Sequence, residues 1–143
     1  MSAIAVIDFE TSGLMPEAGG RATEVAIVLT EAGRIVDRFQ SLMNAGVWIP
    51  PFITQLTGIS NAMVQAAPAA AQVMAEAARF VGQLPLIAHN ASFDRKFWQS
   101  ELARIGLEAA QPFACSLLRR RASAAISRLL GSEATKLIPF LSA

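Results

Sequence analysis

Two short carboxylate motifs carry the chemistry open to this chain. Asp8 and Glu10 stand two residues apart where an otherwise apolar run, Ala3 to Phe9, ends. About eighty residues further on, His89-Asn90-Ala91-Ser92-Phe93-Asp94 follows a second apolar run, Leu84 to Ala88. Alternate residues of a strand share a face, so Asp8 and Glu10 point the same way while Phe9 turns into the core. Two carboxylates side by side repel strongly unless positive charge sits between them. Mg²⁺ and Mn²⁺, which favour oxygen ligands, answer that need. If the strand before His89 pairs beside the first strand, Asp94 opens the next helix within reach of the same ion. Oxygen ligands around two such ions about 3.5–4 Å apart are the arrangement used for in-line attack on a phosphodiester.

Taken singly, each residue also has a plainer role. An Asp-x-Glu pair is commonly a surface or capping feature, yet this one sits inside an apolar strand, where unpaired charge is expensive to bury. Asp94 alone fits equally a first-turn carboxylate favoured by the helix dipole. His89 fits equally a satisfied histidine at a strand end. Ser92 reads as the cap of the following helix. Phe93, Phe97 and Trp98 read as core or groove residues before a dedicated stacking box, and Glu24 as a structural partner before a ligand.

The elements that must position these residues can be traced along the chain. Ala3 to Phe9 is nearly all apolar, as a central strand buried on both faces would be. Thr11-Ser12-Gly13 and Pro16 through Gly20 read as loop. Thr23 to Thr30 and Arg34 to Met43 form two further strands, joined through Glu31-Ala32-Gly33 in a tight antiparallel turn. Pro50 and Pro51 start a short helix that stops near Gly58, and Ser60 caps another. Pro68 at a first helical turn, an Ala-rich body and Gly82 describe a helix of about four turns that packs Val73, Phe80 and Val81 on the sheet. Leu84 to Ala88 is a fourth strand. The helix after it runs to Gly106, and Phe113 to Leu117 forms a fifth strand. A meander followed by helix, strand, helix, strand gives an α/β fold: a mixed five-stranded sheet in the order 3-2-1-4-5 covered by helices.

The totals narrow the functional classes. A chain of 143 residues, 53% apolar, suits one domain with a real core. With 16% charged residues and a net charge of +1, bulk charge does not drive nucleic-acid binding. The one basic run is Arg119-Arg120-Arg121. A single cysteine, Cys115, excludes an internal disulfide and a multi-cysteine zinc site, and it reads as a buried strand residue. From Phe39 to Ala75 there is no charge, but prolines, glycines and amides break the stretch before it reaches spanning length. The first apolar run has no basic start or cleavage site. The expectation is a soluble, cytoplasmic protein without membrane contact. Exposed apolar surface from the uncharged stretch would favour a homo-oligomer.

Read in order, Asp-Phe-Glu-Thr-Ser-Gly, Leu-Thr-Gly-Ile-Ser and Ala-His-Asn-Ala-Ser-Phe-Asp resemble the DEDD superfamily of 3′–5′ exonucleases, of the type of the bacterial DNA polymerase III proofreading (epsilon) subunit and ribonuclease T. The resemblance runs from about residue 3 to residue 118, roughly four-fifths of the chain. It implies a ribonuclease H-like fold, in agreement with the strand order reached above. It also implies a hydrolase that removes nucleotides from the 3′ end of DNA or RNA using two divalent ions, Mg²⁺ or Mn²⁺. Asp8, Glu10 and Asp94 would then be catalytic metal ligands. The 3′-terminal nucleotide would lie against Thr11, Gly13 and Leu14, against Phe52 and Thr57 of the short helix, and against His89 and Phe93. Polymerase subunits are the protein partners that the resemblance suggests.

The third motif of that family carries a general base and a fourth carboxylate, as His-x4-Asp or Tyr-x3-Asp. No such third motif follows here: His89, the only histidine, is separated from Asp94 by four residues but belongs with it to the second motif, there is no tyrosine, and no aspartate follows Asp94. Residues 1–118 therefore read as an exonuclease-like core and 119–143 as a divergent or truncated tail. In that tail Ile126, Leu129, Leu130 and Leu137 suit an amphipathic helix. The expected function is a metal-dependent 3′–5′ exonuclease of impaired activity holding one ion. The alternative is an inactive module that binds a 3′ end or docks on a polymerase. An unrelated phosphate-binding α/β domain fits poorly, since no Gly-rich phosphate loop follows the first strand.

Overall fold

The computed structural model describes residues 3–115. The tail, with its run Arg119-Arg120-Arg121 and its expected helix, and the last residues of the expected fifth strand lie outside the described residues. Strand β1 (Ile4–Thr11) lies at the centre of a sheet with β2 (Ala22–Glu31), β3 (Arg34–Leu42), β4 (Leu86–Ala88) and β5 (Phe113–Cys115). The order is β3-β2-β1-β4-β5. The pairs β1/β2 and β2/β3 are antiparallel, and β1/β4 and β4/β5 are parallel. The sheet is the one expected from sequence, with β1 continuing through Glu10 to Thr11.

Helices α1 (Pro51–Thr57), α2 (Asn61–Gln65), α3 (Ala70–Val81) and α4 (Ala91–Arg104) complete the described part. The odd-numbered residues of β1, Ala5, Ile7 and Phe9, meet Val25 and Ile27 of β2 in one core cluster. Helix α3 adds Val73, Met74, Ala77 and Val81 to it, a stripe repeating at helical spacing. Phe80 is half-buried and sets its ring 5.6 Å from that of Phe39 on β3. Helix α4 contributes Phe97, Trp98 and Leu102. A second cluster, Ile49, Ile53, Ile59 and Val64, ties α1 to α2.

Two local expectations are corrected. Pro68 lies two residues ahead of α3 rather than in its first turn. Its carbonyl accepts the Asn44 N–H at 2.8 Å, so it joins the strand exit to the helix entry. Ser92 does not cap α4. Asn90 holds the cap position, and the Ser92 hydroxyl donates to the Asn90 side-chain oxygen at 3.2 Å. Earlier in the chain, Ser60 does cap α2, accepting the Met63 N–H at 3.1 Å. The β2–β3 turn places Ala32 at φ 53 and Gly33 at φ 78. Both central residues are left-handed, which matches the twist of a two-residue hairpin.

Candidate active site

The site forms where β1 ends. Asp8 and Glu10 alternate with the core residues Ile7 and Phe9, and so stand on the opposite face of the sheet. Between Glu10 and Thr11 the register slips, with Glu10 opposite Glu24 but Thr11 opposite Ala22. This irregularity turns the chain into the loop that carries Leu14. Thr11 Oγ1 donates to the Gly13 carbonyl at 2.8 Å, closing the loop's first bend. The loop folds back tightly at Gly20, where an added Cβ would lie 2.8 Å from the Met15 carbonyl oxygen.

Asp94 arrives from the other side. It sits in the first turn of α4, almost fully buried, and its Oδ1 accepts the Phe9 N–H at 3.0 Å. That bond ties the first turn of α4 to the end of β1. A cleft of about 530 Å³ opens here, walled by Asp8, Phe9, Glu10, Thr11 and Leu14 on one side. Ile53, Leu56 and Thr57 of α1 line it, as do His89, Asn90, Phe93 and Asp94 around the start of α4. Phe93 packs its ring 5.0 Å from Phe97, which anchors it to the core.

Of the residues singled out from sequence, Asp8, Glu10, Thr11, Leu14, Thr57, His89, Phe93 and Asp94 meet in this cleft. Gly13 and Phe52 are not among its lining residues. Phe52 is instead 63% exposed, because one turn of α1 shows Ile53, Leu56 and Thr57 to the cleft and turns Phe52 away from it. Sequence reading missed Ile53, Leu56 and Asn90. An apolar i, i+3 pair on a short helix is the signal that could have found the first two.

Burial governs the electrostatics. It pushes the Asp8 carboxyl up to about 9, with the negative charges of Asp94, Glu10 and Glu24 adding to the effect. Asp94 is pushed up to about 7, again chiefly by burial, while the Phe9 N–H draws it back toward the ionised form. Glu10 is raised by burial and by Glu24 across the strand pair. Burial also lowers His89, which favours its neutral imidazole. Asp8 thus feels both other carboxylates of the cleft. Among the described residues, no three acidic, histidine or cysteine side chains already form a closed cation shell. The donor set is all oxygen, and burial shifts each carboxyl toward its protonated form, a shift that a bound divalent cation would oppose. In chemistry these residues fit Mg²⁺ or Mn²⁺.

Comparison with known proteins shows the family and the fold. The family model described as Exonuclease (RNase T) matches residues 5–133. The 3′-5′ exonuclease DinG of Bacillus subtilis is 39% identical over 103 residues, covering 72% of this chain and 11% of that protein. A DNA polymerase III subunit epsilon-like protein of Rhodobacter capsulatus is 40% identical over 103 residues, covering 71% of this chain and 15% of its own length. The PolC-type DNA polymerase III of Caldanaerobacter subterraneus is 37% identical over 102 residues, 71% of this chain and 7% of the polymerase. The chain thus spans a small fraction of these relatives. Among solved structures, exonuclease I without ligand superposes with a TM-score of 0.76 at 18% identity, over 87% of this chain and 31% of that one. That likeness shows the shared ribonuclease H-like fold. With its matching family model and its carboxylate cleft, the chain belongs to the RNase T-type exonuclease family.

Proposed function

We propose that this chain is a 3′–5′ exonuclease domain that grips the 3′ end of a single nucleic-acid strand and holds one Mg²⁺ or Mn²⁺ between Asp8, Glu10 and Asp94. The observation that carries the reading is the meeting of these three carboxylates in one cleft, each pushed toward protonation by burial. A bound divalent ion would supply positive charge on the scissile phosphate and lower the pKa of an attacking water. The chain's own residues do the rest. Leu14 and Leu56 offer apolar contact to a terminal base, and the half-buried Phe93 offers a ring. Thr57 and His89 supply polar atoms on the remaining wall. None of these contacts reads base identity, which suits sequence-independent trimming.

DNA is the substrate class favoured by the relatives, which include DNA polymerases, and exonuclease I has been solved with a dT13 oligonucleotide. Association with a replicative polymerase in the cytoplasm fits the same relatives. Turnover is expected to be slow. The single His-x4-Asp string, His89 to Asp94, belongs to the second motif and there is no tyrosine, so no third-motif base follows, and a missing general base lowers rates by about 10²–10⁴. The same absence favours a second reading, a module that binds a 3′ end without cutting it.

A single-turnover assay on a 5′-labelled single strand distinguishes these. Slow, Mn²⁺-dependent loss of one nucleotide at a time, abolished by Asp8→Ala, is expected. Tight 3′-end binding without any shortening would favour the binding module. Rapid release would show that the chain has another proton acceptor, and absence of both binding and cleavage would overturn the proposal.

A further inference from the structure

Helix α4 carries a second buried carboxylate that the cleft does not use. Glu101 follows Asp94 by seven residues, about two turns and 10 Å along the axis, so the two project from one face of the helix. Both are nearly inaccessible, at 2% and 3% exposure. Each reaches across to the sheet. Glu101 Oε1 accepts from Arg21 Nε at 2.8 Å and from the Ala22 N–H at 3.1 Å, and Oε2 accepts from Arg21 Nη2 at 3.0 Å. Arg21 Nη1 donates to the Ala45 carbonyl at 3.3 Å. The Arg21 backbone closes a reciprocal pair with Ser12, its N–H donating to Ser12 Oγ at 3.0 Å and its carbonyl accepting the Ser12 N–H at 2.8 Å. Through its guanidinium and its backbone together, Arg21 therefore joins the loop behind Thr11, the start of β2, the exit of β3 and the far half of α4.

We propose that Arg21 and Glu101 form a positioning pair, which fixes α4 along its axis and so holds Asp94 on the Phe9 N–H opposite Asp8 and Glu10. The functional meaning of the pair rests on those three carboxylates being the ion site. A planar guanidinium binding both carboxylate oxygens sets distance and angle together, which a point charge cannot do. With anchors at Asp94 and Glu101, the helix can neither slide nor pivot. Without the far anchor, the Asp94–Phe9 bond becomes the pivot. Losing a pair that contributed only to global stability would instead speed exchange through global unfolding alike at the core amides.

Amide hydrogen exchange of the metal-free chain separates the two cases. In Glu101→Gln and Arg21→Lys, the Phe9 amide is expected to exchange about tenfold faster than the general loosening read at the Val25 and Ile27 amides accounts for. Val73→Ala, a truncation in the α3 core, should accelerate all three amides in proportion. If Phe9 merely keeps pace with Val25 and Ile27 in both pair variants, the proposal is overturned. Because this readout needs no metal, a chain that fails to bind Mn²⁺ would sink the ion-site reading while the exchange data still decide the positioning role. Where the ion binds, its affinity should fall about 10–100-fold in the pair variants and stay unchanged in Val73→Ala. An equal fall in all three variants would contradict the proposal.

Discussion

Asp8 and Asp94 hold protons that the same groups in an unfolded chain would have lost. Each starts from an ordinary value of 3.8 and is lifted by burial, to about 9 and about 7 respectively. Between those limits the folded chain binds more protons than the unfolded one, so stability falls as pH rises. The contribution is complete below the ordinary value and is lost as pH climbs through about 7 and then about 9. The Tm of the metal-free chain should therefore fall from about pH 5 to about pH 9. Asp8→Asn, which keeps the shape without the charge, should raise Tm at about pH 8 by several degrees and flatten the pH profile. A melt of the two proteins across that range checks this, and a profile rising with pH would contradict it. The carboxylates themselves were legible in the sequence, since charge inside an apolar strand needs a cause. Arg21 and Glu101 were not. They lie about eighty residues apart, and nothing local marks one as the partner of the other.

Strand and helix placement determines which residues reach the cleft. The hairpin from β2 to β3 turns through Ala32 at φ 53, a conformation that residues with a Cβ resist and asparagine tolerates. Ala32→Asn is expected to stabilise the fold by about 0.5–1 kcal/mol in denaturant unfolding. Gly20→Ala acts oppositely. Its Cβ would press on the Met15 and Gly13 carbonyls, so the Leu14 loop must shift, with a loss of about 1–3 kcal/mol and weaker 3′-end binding. Unchanged stability and binding in that variant would show the loop to be slack. The sheet order was readable because apolar runs and turn residues alternate cleanly along the chain. Helix entries were harder. Pro68 and Ser92 are good starting residues by type, yet Pro68 is held from outside the helix by the Asn44 N–H, and α4 starts one residue before Ser92, with Asn90 at its cap. The orientation of α1 was equally hidden, since seven residues give no sustained stripe and Phe52 looks as apolar as Ile53.

The described residues build a small, helix-covered sheet that presents an acidic cleft between the end of β1 and the start of α4. Among the described residues, no helix is long and apolar enough to cross a membrane. Leu14, Trp48, Phe52 and Leu56 are well exposed, and the first and last of these wall the cleft. The chain covers 7–15% of the polymerase and DinG relatives described above, so its family membership speaks for this domain alone. On the proposed function, whether the domain cuts or only grips, Asp8, Glu10 and Asp94 share one cation. Titration of the metal-free chain with Mn²⁺, followed by electron paramagnetic resonance at neutral pH, addresses this directly. The account predicts saturable binding of one ion that disappears in both Asp8→Asn and Asp94→Asn. An absence of saturable binding, or binding that survives both substitutions, would contradict it.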